Sequence, residues 1–361
     1  MNLFALLLTT VLGADPLEAG DHFRKLEVDG RPRSFLVHVP RGYDATRPAP
    51  VVLAYHGSSM NARMMATYSG LARKADEAGF IAVFPNGTGP SKLIMTFDCG
   101  GLPELQGGKT RADDVAFTSQ MLDDLETVLN IDRRRVFATG FSNGGMMCHR
   151  LAAELSDRIA AIAVVSGPIA LERFELRRPV PVMYFHGTDD SIVAWDGPDA
   201  ATSAMFTFIP VEQSIRMSVA ANRCWPNPTV EEMPDLVDDG TTVTRHAYRP
   251  RPGGAAVIFY KINGGGHTWP GHGSLDRLLG HSTQDISAND LIWEFFEKCP
   301  MPEGDGSLLA RAVGSRIPMP VHITRRVVQD YRFASRRALF SDSRQFPASR
   351  SKTPNPAPNS Q

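Results

Sequence analysis

The segment Arg135-Val136-Phe137-Ala138-Thr139-Gly140-Phe141-Ser142-Asn143-Gly144-Gly145 constrains this chain more than any other. It reads as a short apolar strand that runs into G-x-S-x-G and then into a helix. A serine at such a strand-to-helix turn sits in a strained backbone position, with its hydroxyl exposed at the top of a sheet. The flanking glycines let the turn close and the backbone approach a substrate. The Asn143 amide lies at the helix start, where N–H groups without an intrahelical partner favour negative charge. Ser142 is therefore the candidate nucleophile and the Asn143 amide a candidate oxyanion donor.

A serine hydroxyl is a weak nucleophile near neutral pH. It needs a base, and the base needs an orienting acid. In sheet enzymes with this turn the chain order is Ser, then Asp or Glu, then His. The run Pro181 to Phe185 ends in His186-Gly187-Thr188-Asp189-Asp190, which places two carboxylates just past a strand. Chemistry alone leaves Asp189 and Asp190 open. The run Val257 to Ile262 leads through Asn263-Gly264-Gly265-Gly266 to His267. Of ten histidines, His267 alone combines the right order, a preceding strand and flexible surroundings. His56 and His186 each end a strand in a His-Gly pair and read as structural hydrogen-bonding groups. His149 lies in the helix after Ser142, facing away from it. His272 and His281 read as solvated loop residues. A tetrahedral intermediate needs a second donor. Val51 to Tyr55 followed by His56-Gly57-Ser58-Ser59 supplies it, with the Ser58 amide preferred and Ser59 or Gly57 as alternatives.

These segments together resemble the secreted polyhydroxybutyrate depolymerase and feruloyl esterase group of α/β-hydrolases. The resemblance rests on Gly140-Phe141-Ser142-Asn143-Gly144-Gly145-Met146-Met147, His186-Gly187-Thr188-Asp189-Asp190 and Gly265-Gly266-His267-Thr268-Trp269-Pro270-Gly271. Ala112 to Phe117, Leu125 to Asp132 and Arg135 add to it, and it runs from about Arg33 to about Pro300. It implies a Ser142–Asp190–His267 triad, choosing the second carboxylate. It also supports Ser58 as an oxyanion donor and makes Trp269 a wall of the acyl pocket. The expected activity is that of a serine esterase working through an acyl-enzyme without metal or organic cofactor. Its substrate would be a hydroxyalkanoate oligomer or, alternatively, a feruloyl or acetyl ester on plant polysaccharide. The chain departs from the family in carrying Ser191 after Asp190 and in its Phe97 to Gly101 loop, which bears on substrate preference. A prolyl-oligopeptidase-like peptidase shares the triad order, but nothing in the chain suggests a propeller. A non-catalytic binding protein on this scaffold would be expected to lack a triad member.

Strand and helix patterns alternate along the chain, and the strands are nearly continuous in apolar character. That pattern predicts an α/β fold with a mostly parallel central sheet and helices on both faces. Strands are expected at Ser34 to Val39, Val51 to Tyr55, Phe80 to Phe84, Arg135 to Thr139, Ile159 to Val165, Pro181 to Phe185 and Ala256 to Ile262, with an extra one at Val243 to Tyr248. Asn61 to Ala78 reads as one helix, and Asp113 to Leu129 as another opened by Asp113 or Asp114. Gly89 to Arg111 reads as a flap over the site.

The 361 residues carry a formal net charge of −1, so neither nucleic-acid binding nor strong electrostatic steering is expected. No apolar run is long enough to span a membrane. Residues 1–14 resemble a short signal peptide, which points to a secreted or periplasmic protein. The catalytic domain is expected over residues 15–300. Residues 301–361 hold ten basic and four acidic residues and read as a disordered basic tail. Four cysteines do not fit the common zinc spacings. A Cys224–Cys299 disulfide would suit an exported protein, although sequence leaves the pairing open.

Overall fold

The computed structural model describes residues 15–91, 93–102, 111–199, 206–272 and 279–303. The expected leader at 1–14 and the tail from 304 onward lie outside them.

The described strands are β1 (Gly20–Val28), β2 (Arg31–Val39), β3 (Ala49–Tyr55), β4 (Ile81–Pro85), β5 (Thr88–Ser91), β6 (Ile94–Thr96), β7 (Ile131–Phe141), β8 (Ile162–Val165), β9 (Val182–Gly187), β10 (Thr229–Glu232), β11 (Thr242–Tyr248) and β12 (Val257–Asn263). The helices are α1 (Ala62–Ser69), α2 (Leu71–Ala78), α3 (Asp114–Glu126), α4 (Asn143–Glu154), α5 (Val211–Ala221) and α6 (Ala288–Glu297). Ten strands form one sheet in the order β1-β2-β4-β3-β7-β8-β9-β12-β11-β10, and β5 and β6 form a separate hairpin. From β4 to β12 every neighbouring pair is parallel. The outer strands on each side pair antiparallel. This is the α/β fold with a mostly parallel sheet that the sequence predicts.

Alternation along the central strands feeds two cores. In β3, Val51, Leu53 and Tyr55 join one core while Val52 and Ala54 join the other. Helices α3, α4 and α5 cover the first face through residues such as Phe117, Leu151 and Ile215. Helices α1, α2 and α6 cover the second through Met65, Ala75 and Phe296. Phe137 of β7 stacks on Phe296 of α6 with ring centroids 4.6 Å apart and planes 5° apart. A sheet covered on both faces needs apolar side chains at every position, which is why β3, β4, β8 and β9 are wholly buried.

Several expectations are corrected. The single helix over 61–78 is broken at Gly70, which lies at φ +63° and ends α1 with its N–H bonded to the Ala66 carbonyl. Asp113 is the cap of α3, accepting from the Val115 and Ala116 amides. Asp114 instead forms a buried ion pair with Arg33 at 2.5 Å. Cys224 and Cys299 are free thiols. They belong to cores on opposite faces of the sheet, so no bond between them is possible without rearranging it. His272 is half-buried rather than solvated, and its Nε2 accepts from Asn289 Nδ2 at 3.1 Å. Of the expected flap, residues 92 and 103–110 lie outside the described set, and Thr88–Ser91 pairs with Ile94–Thr96 as the β5–β6 hairpin. The hairpin bridges to Met60 through Met95.

Candidate active site

Parallel strands end on one edge of a sheet. The turns after β3, β7, β9 and β12 therefore carry Ser58, Ser142, Asp190 and His267 to the same rim. Ser142 adopts φ 55° and ψ −121°, a conformation L-residues rarely take, and its N–H donates to the Val165 carbonyl at 2.8 Å. The turn closes because Gly140 and Gly144 lack side chains. A Cβ at Gly140 would strike the Gly144 carbonyl, and one at Gly144 would strike the Tyr55 carbonyl. Such strain is typical of functional turns held by their surroundings.

The Asp190 carboxylate is fully committed. Oδ1 accepts from the Ile192 and Val193 amides at 2.9 and 2.8 Å, and Oδ2 accepts from His267 Nδ1–H at 2.7 Å. Burial would raise its pKa. The attraction and hydrogen bond of His267, the nearby His186 and the Val193 amide outweigh burial and hold it below the usual carboxylate range. Asp189 points to solvent, and its Oδ1 accepts from its neighbour Thr188 Oγ1 at 2.9 Å. The structure thus separates the two carboxylates that chemistry left open. The acid and histidine loops are also joined through their main chains, by Asp189 N–H to the Gly265 carbonyl at 2.9 Å.

Ser142 and His267 both line a cavity of about 710 Å³. The Phe141 and His267 rings lie 4.6 Å apart, which ties the imidazole to the serine turn. Among the described residues the Ser142 hydroxyl has no hydrogen-bond partner, as is common for a nucleophile–base pair without substrate. Ser58 and Asn143 line the same cavity. As the first residue of α4, Asn143 has a main-chain N–H with no carbonyl one helical turn earlier to bond.

His56 and His186 have the structural roles expected of them. His56 donates from Nδ1 to the Gly57 carbonyl at 2.8 Å and accepts the Gly87 N–H on Nε2 at 3.0 Å. Burial pushes its pKa down to about 4, so it stays neutral and holds the start of the Ser58 loop. His186 donates from Nε2 to the Val193 carbonyl at 2.9 Å and accepts the Tyr184 hydroxyl on Nδ1 at 3.0 Å.

Trp269 is corrected: it is not a cavity wall. Its side chain is wholly buried in the core beneath α6, and its indole N–H donates to Asn289 Oδ1 at 3.0 Å. An indole N–H out of water needs an acceptor, and Asn289 fixes the ring in the core. The apolar wall comes instead from Met60, Met64, Met146, Ile192, Phe206 and Leu279. Tyr68 and Arg63 of α1 also line the cavity, and sequence reasoning missed both. Met64, Thr67 and Tyr68 recur at helical spacing just after the Ser58 loop, the signal that would have found this second face of the helix. Among the described residues no cluster of His, Cys, Asp or Glu could hold a metal ion.

Strained serine, buried acid–histidine pair and apolar cavity at the carboxyl ends of parallel strands define the site of an α/β-hydrolase. The chain belongs to the esterase family, whose model, described as putative esterase, matches residues 27–225. It is a carboxylic ester hydrolase of that family. It is 29% identical over 290 residues to the putative esterase NocK of Nocardia uniformis subsp. tsuyamanensis, covering 74% of this chain and 82% of that protein. It is 28% identical over 272 residues to feruloyl esterase C of Emericella nidulans, covering 73% of this chain and 83% of that one. To feruloyl esterase B of Piromyces equi it is 28% identical over 243 residues, 65% of this chain but 42% of that protein. Among solved structures, the acetyl xylan esterase from Aspergillus awamori superposes with a TM-score of 0.50 at 16% identity, covering 76% of this chain and 99% of that one. At that identity the likeness concerns the fold.

Proposed function

We propose that the protein hydrolyses feruloyl or acetyl esters carried on plant polysaccharide, with Ser142 as nucleophile, His267 as base and Asp190 as the acid that orients it. The observation that carries the mechanism is the 2.7 Å bond from His267 Nδ1–H to Asp190 Oδ2 at the wall of the cavity that Ser142 enters. That bond fixes the tautomer, leaving Nε2 free to take the serine proton. Ser142 Oγ then bonds to the ester carbonyl carbon, and the carbonyl oxygen takes the negative charge facing the Ser58 and Asn143 amides. Such donors contribute about 3 kcal/mol each to the transition state. His267 passes the proton to the leaving alcohol oxygen as the C–O bond breaks. Water, deprotonated by the same imidazole, then releases the acid from Ser142.

The choice of acyl group rests on the cavity and the relatives. A largely apolar space of about 710 Å³ accommodates an aromatic acyl group, and two of the relatives above are named feruloyl esterases. A second reading, hydrolysis of hydroxyalkanoate oligomers, has one observation in its favour. Arg63 is the one Lys or Arg among the described lining residues, and it suits the free carboxylate end of such an oligomer. Rates on methyl ferulate, acetylated xylan and hydroxybutyrate oligomers, with Ser142→Ala as the control, test the assignment. Activity confined to the hydroxybutyrate oligomers would replace the first reading by the second. Export through residues 1–14 belongs to the same proposal, and N-terminal sequencing of the protein recovered outside the cell tests it.

A further inference from the structure

Tyr68 lines the cavity and carries an unspent donor, its hydroxyl. Its oxygen accepts the Trp269 main-chain N–H at 3.1 Å, and among the described residues its own proton has no acceptor. The ring is fixed as well, 5.1 Å from Phe141, whose other neighbour is the His267 ring. Burial, opposed by the Trp269 N–H and reinforced by the Asp190 charge, raises the phenol pKa to about 12, so the proton stays in place at any working pH. The hydroxyl is thus a fixed, neutral donor on a residue that lines the cavity.

Its position decides which part of the substrate it meets. Trp269 lies two residues after His267, so the bond to its amide places the phenol on the imidazole's side of the cavity. In the proposed mechanism the leaving oxygen must come to the imidazole to be protonated. The alcohol half of the ester therefore passes beside Tyr68, while the carbonyl oxygen turns to Ser58 and Asn143. An alcohol with a second hydroxyl next to the ester oxygen, as in a sugar, offers an acceptor there. A simple alkyl alcohol offers none.

We infer that Tyr68 is a specificity-determining residue that donates a hydrogen bond to a hydroxyl oxygen on the alcohol side, favouring esters of sugars over esters of simple alcohols. This rests on the polysaccharide-ester reading above. The test uses two pairs sharing an acyl group: methyl ferulate with feruloyl-arabinose, and methyl acetate with acetylated xylose. Tyr68→Phe keeps the ring and removes the hydroxyl, both as a donor to substrate and as the acceptor of the Trp269 N–H. Loss of the Trp269 contact lowers activity on every ester alike, so the readout is the ratio: kcat/KM on the sugar esters is expected to fall about tenfold further than on the methyl esters, the scale of one hydrogen bond to a desolvated partner. Tyr68→His, which restores a donor, should recover part of the sugar preference. Equal losses on both members of a pair, which leave the ratio unchanged, would mark Tyr68 as a structural support of the His267 loop and overturn the inference. Wild-type inactivity on all four esters would overturn the function itself, whereas wild-type activity with an unaltered ratio in the variant removes only the role of Tyr68.

Discussion

Asn143 grips Phe97 by both ends of its side-chain amide: Oδ1 accepts the Phe97 N–H at 2.8 Å and Nδ2 donates to the Phe97 carbonyl at 3.1 Å. The same Nδ2 lies 3.3 Å from Cys99 Sγ. The residue whose main-chain N–H faces the proposed oxyanion thus also anchors the segment that departs from the family pattern. Asn143→Ala keeps the main-chain donor but leaves two buried groups of Phe97 without partners. Each such group costs about 1–3 kcal/mol, so unfolding in denaturant should show a loss of that order or somewhat more. Unaltered stability would mean that water replaces the clamp.

The two carboxylates after β9 should behave oppositely. Asp190→Asn cannot orient the working tautomer of His267 and should lower kcat by about four orders of magnitude. Asp189→Asn changes an exposed side chain bonded only to Thr188 and should alter kcat less than twofold. Steady-state rates of the two variants on one ester are sufficient; comparable losses would contradict the assignment.

Trp269→Phe separates a core role from a pocket role. The change removes the indole donor and leaves Asn289 Oδ1 without it, a destabilisation of about 1–3 kcal/mol. KM should be nearly unchanged, because the indole does not reach the cavity. A large rise in KM with normal stability would restore Trp269 to the acyl pocket.

His56 makes stability depend on pH. Its pKa is about 6.5 in the unfolded chain and pushed down to about 4 by burial in the folded one. Between those values the unfolded state binds more protons, so stability falls as pH drops from about 6.5 to about 4 and is unaffected by this group above that window. The full effect is on the order of 3 kcal/mol. His56→Asn should lose less stability over the same range when unfolding free energies are compared at pH 7 and pH 4.5. Parallel curves for the two proteins would assign the acid sensitivity elsewhere.

The central strands and the three site loops were legible because local pattern and tertiary environment agree there. Val51 to Tyr55 and Val182 to Phe185 are apolar throughout and are buried on both faces. The edges were not legible. β1 alternates between half-buried and exposed positions and carries Asp21, Arg24, Lys25 and Glu27, so no apolar run betrays it. β10 is exposed along its length. The serine–acid–histidine order could be read along one chain, because each member follows its own strand. The cavity wall could not, since Met60, Met146, Ile192, Phe206 and Leu279 come from separate segments that meet only in the fold. Trp269 misled for a related reason. Closeness in sequence to His267 says nothing about which side of the loop a ring will take, and the acceptor that decided it, Asn289, lies twenty residues further on.

The interruption at Gly70 divides two duties between neighbouring helices. α2 packs its buried residues Leu71 and Ala75 into the core, whereas α1, besides burying Met65 there, turns Arg63, Met64, Thr67 and Tyr68 to the cavity. Arg63, Met64 and Thr67 are exposed, so variation confined to those three positions would reshape the cavity mouth at little cost to the scaffold, and a library aimed at new selectivity is best concentrated on that short stretch of helix.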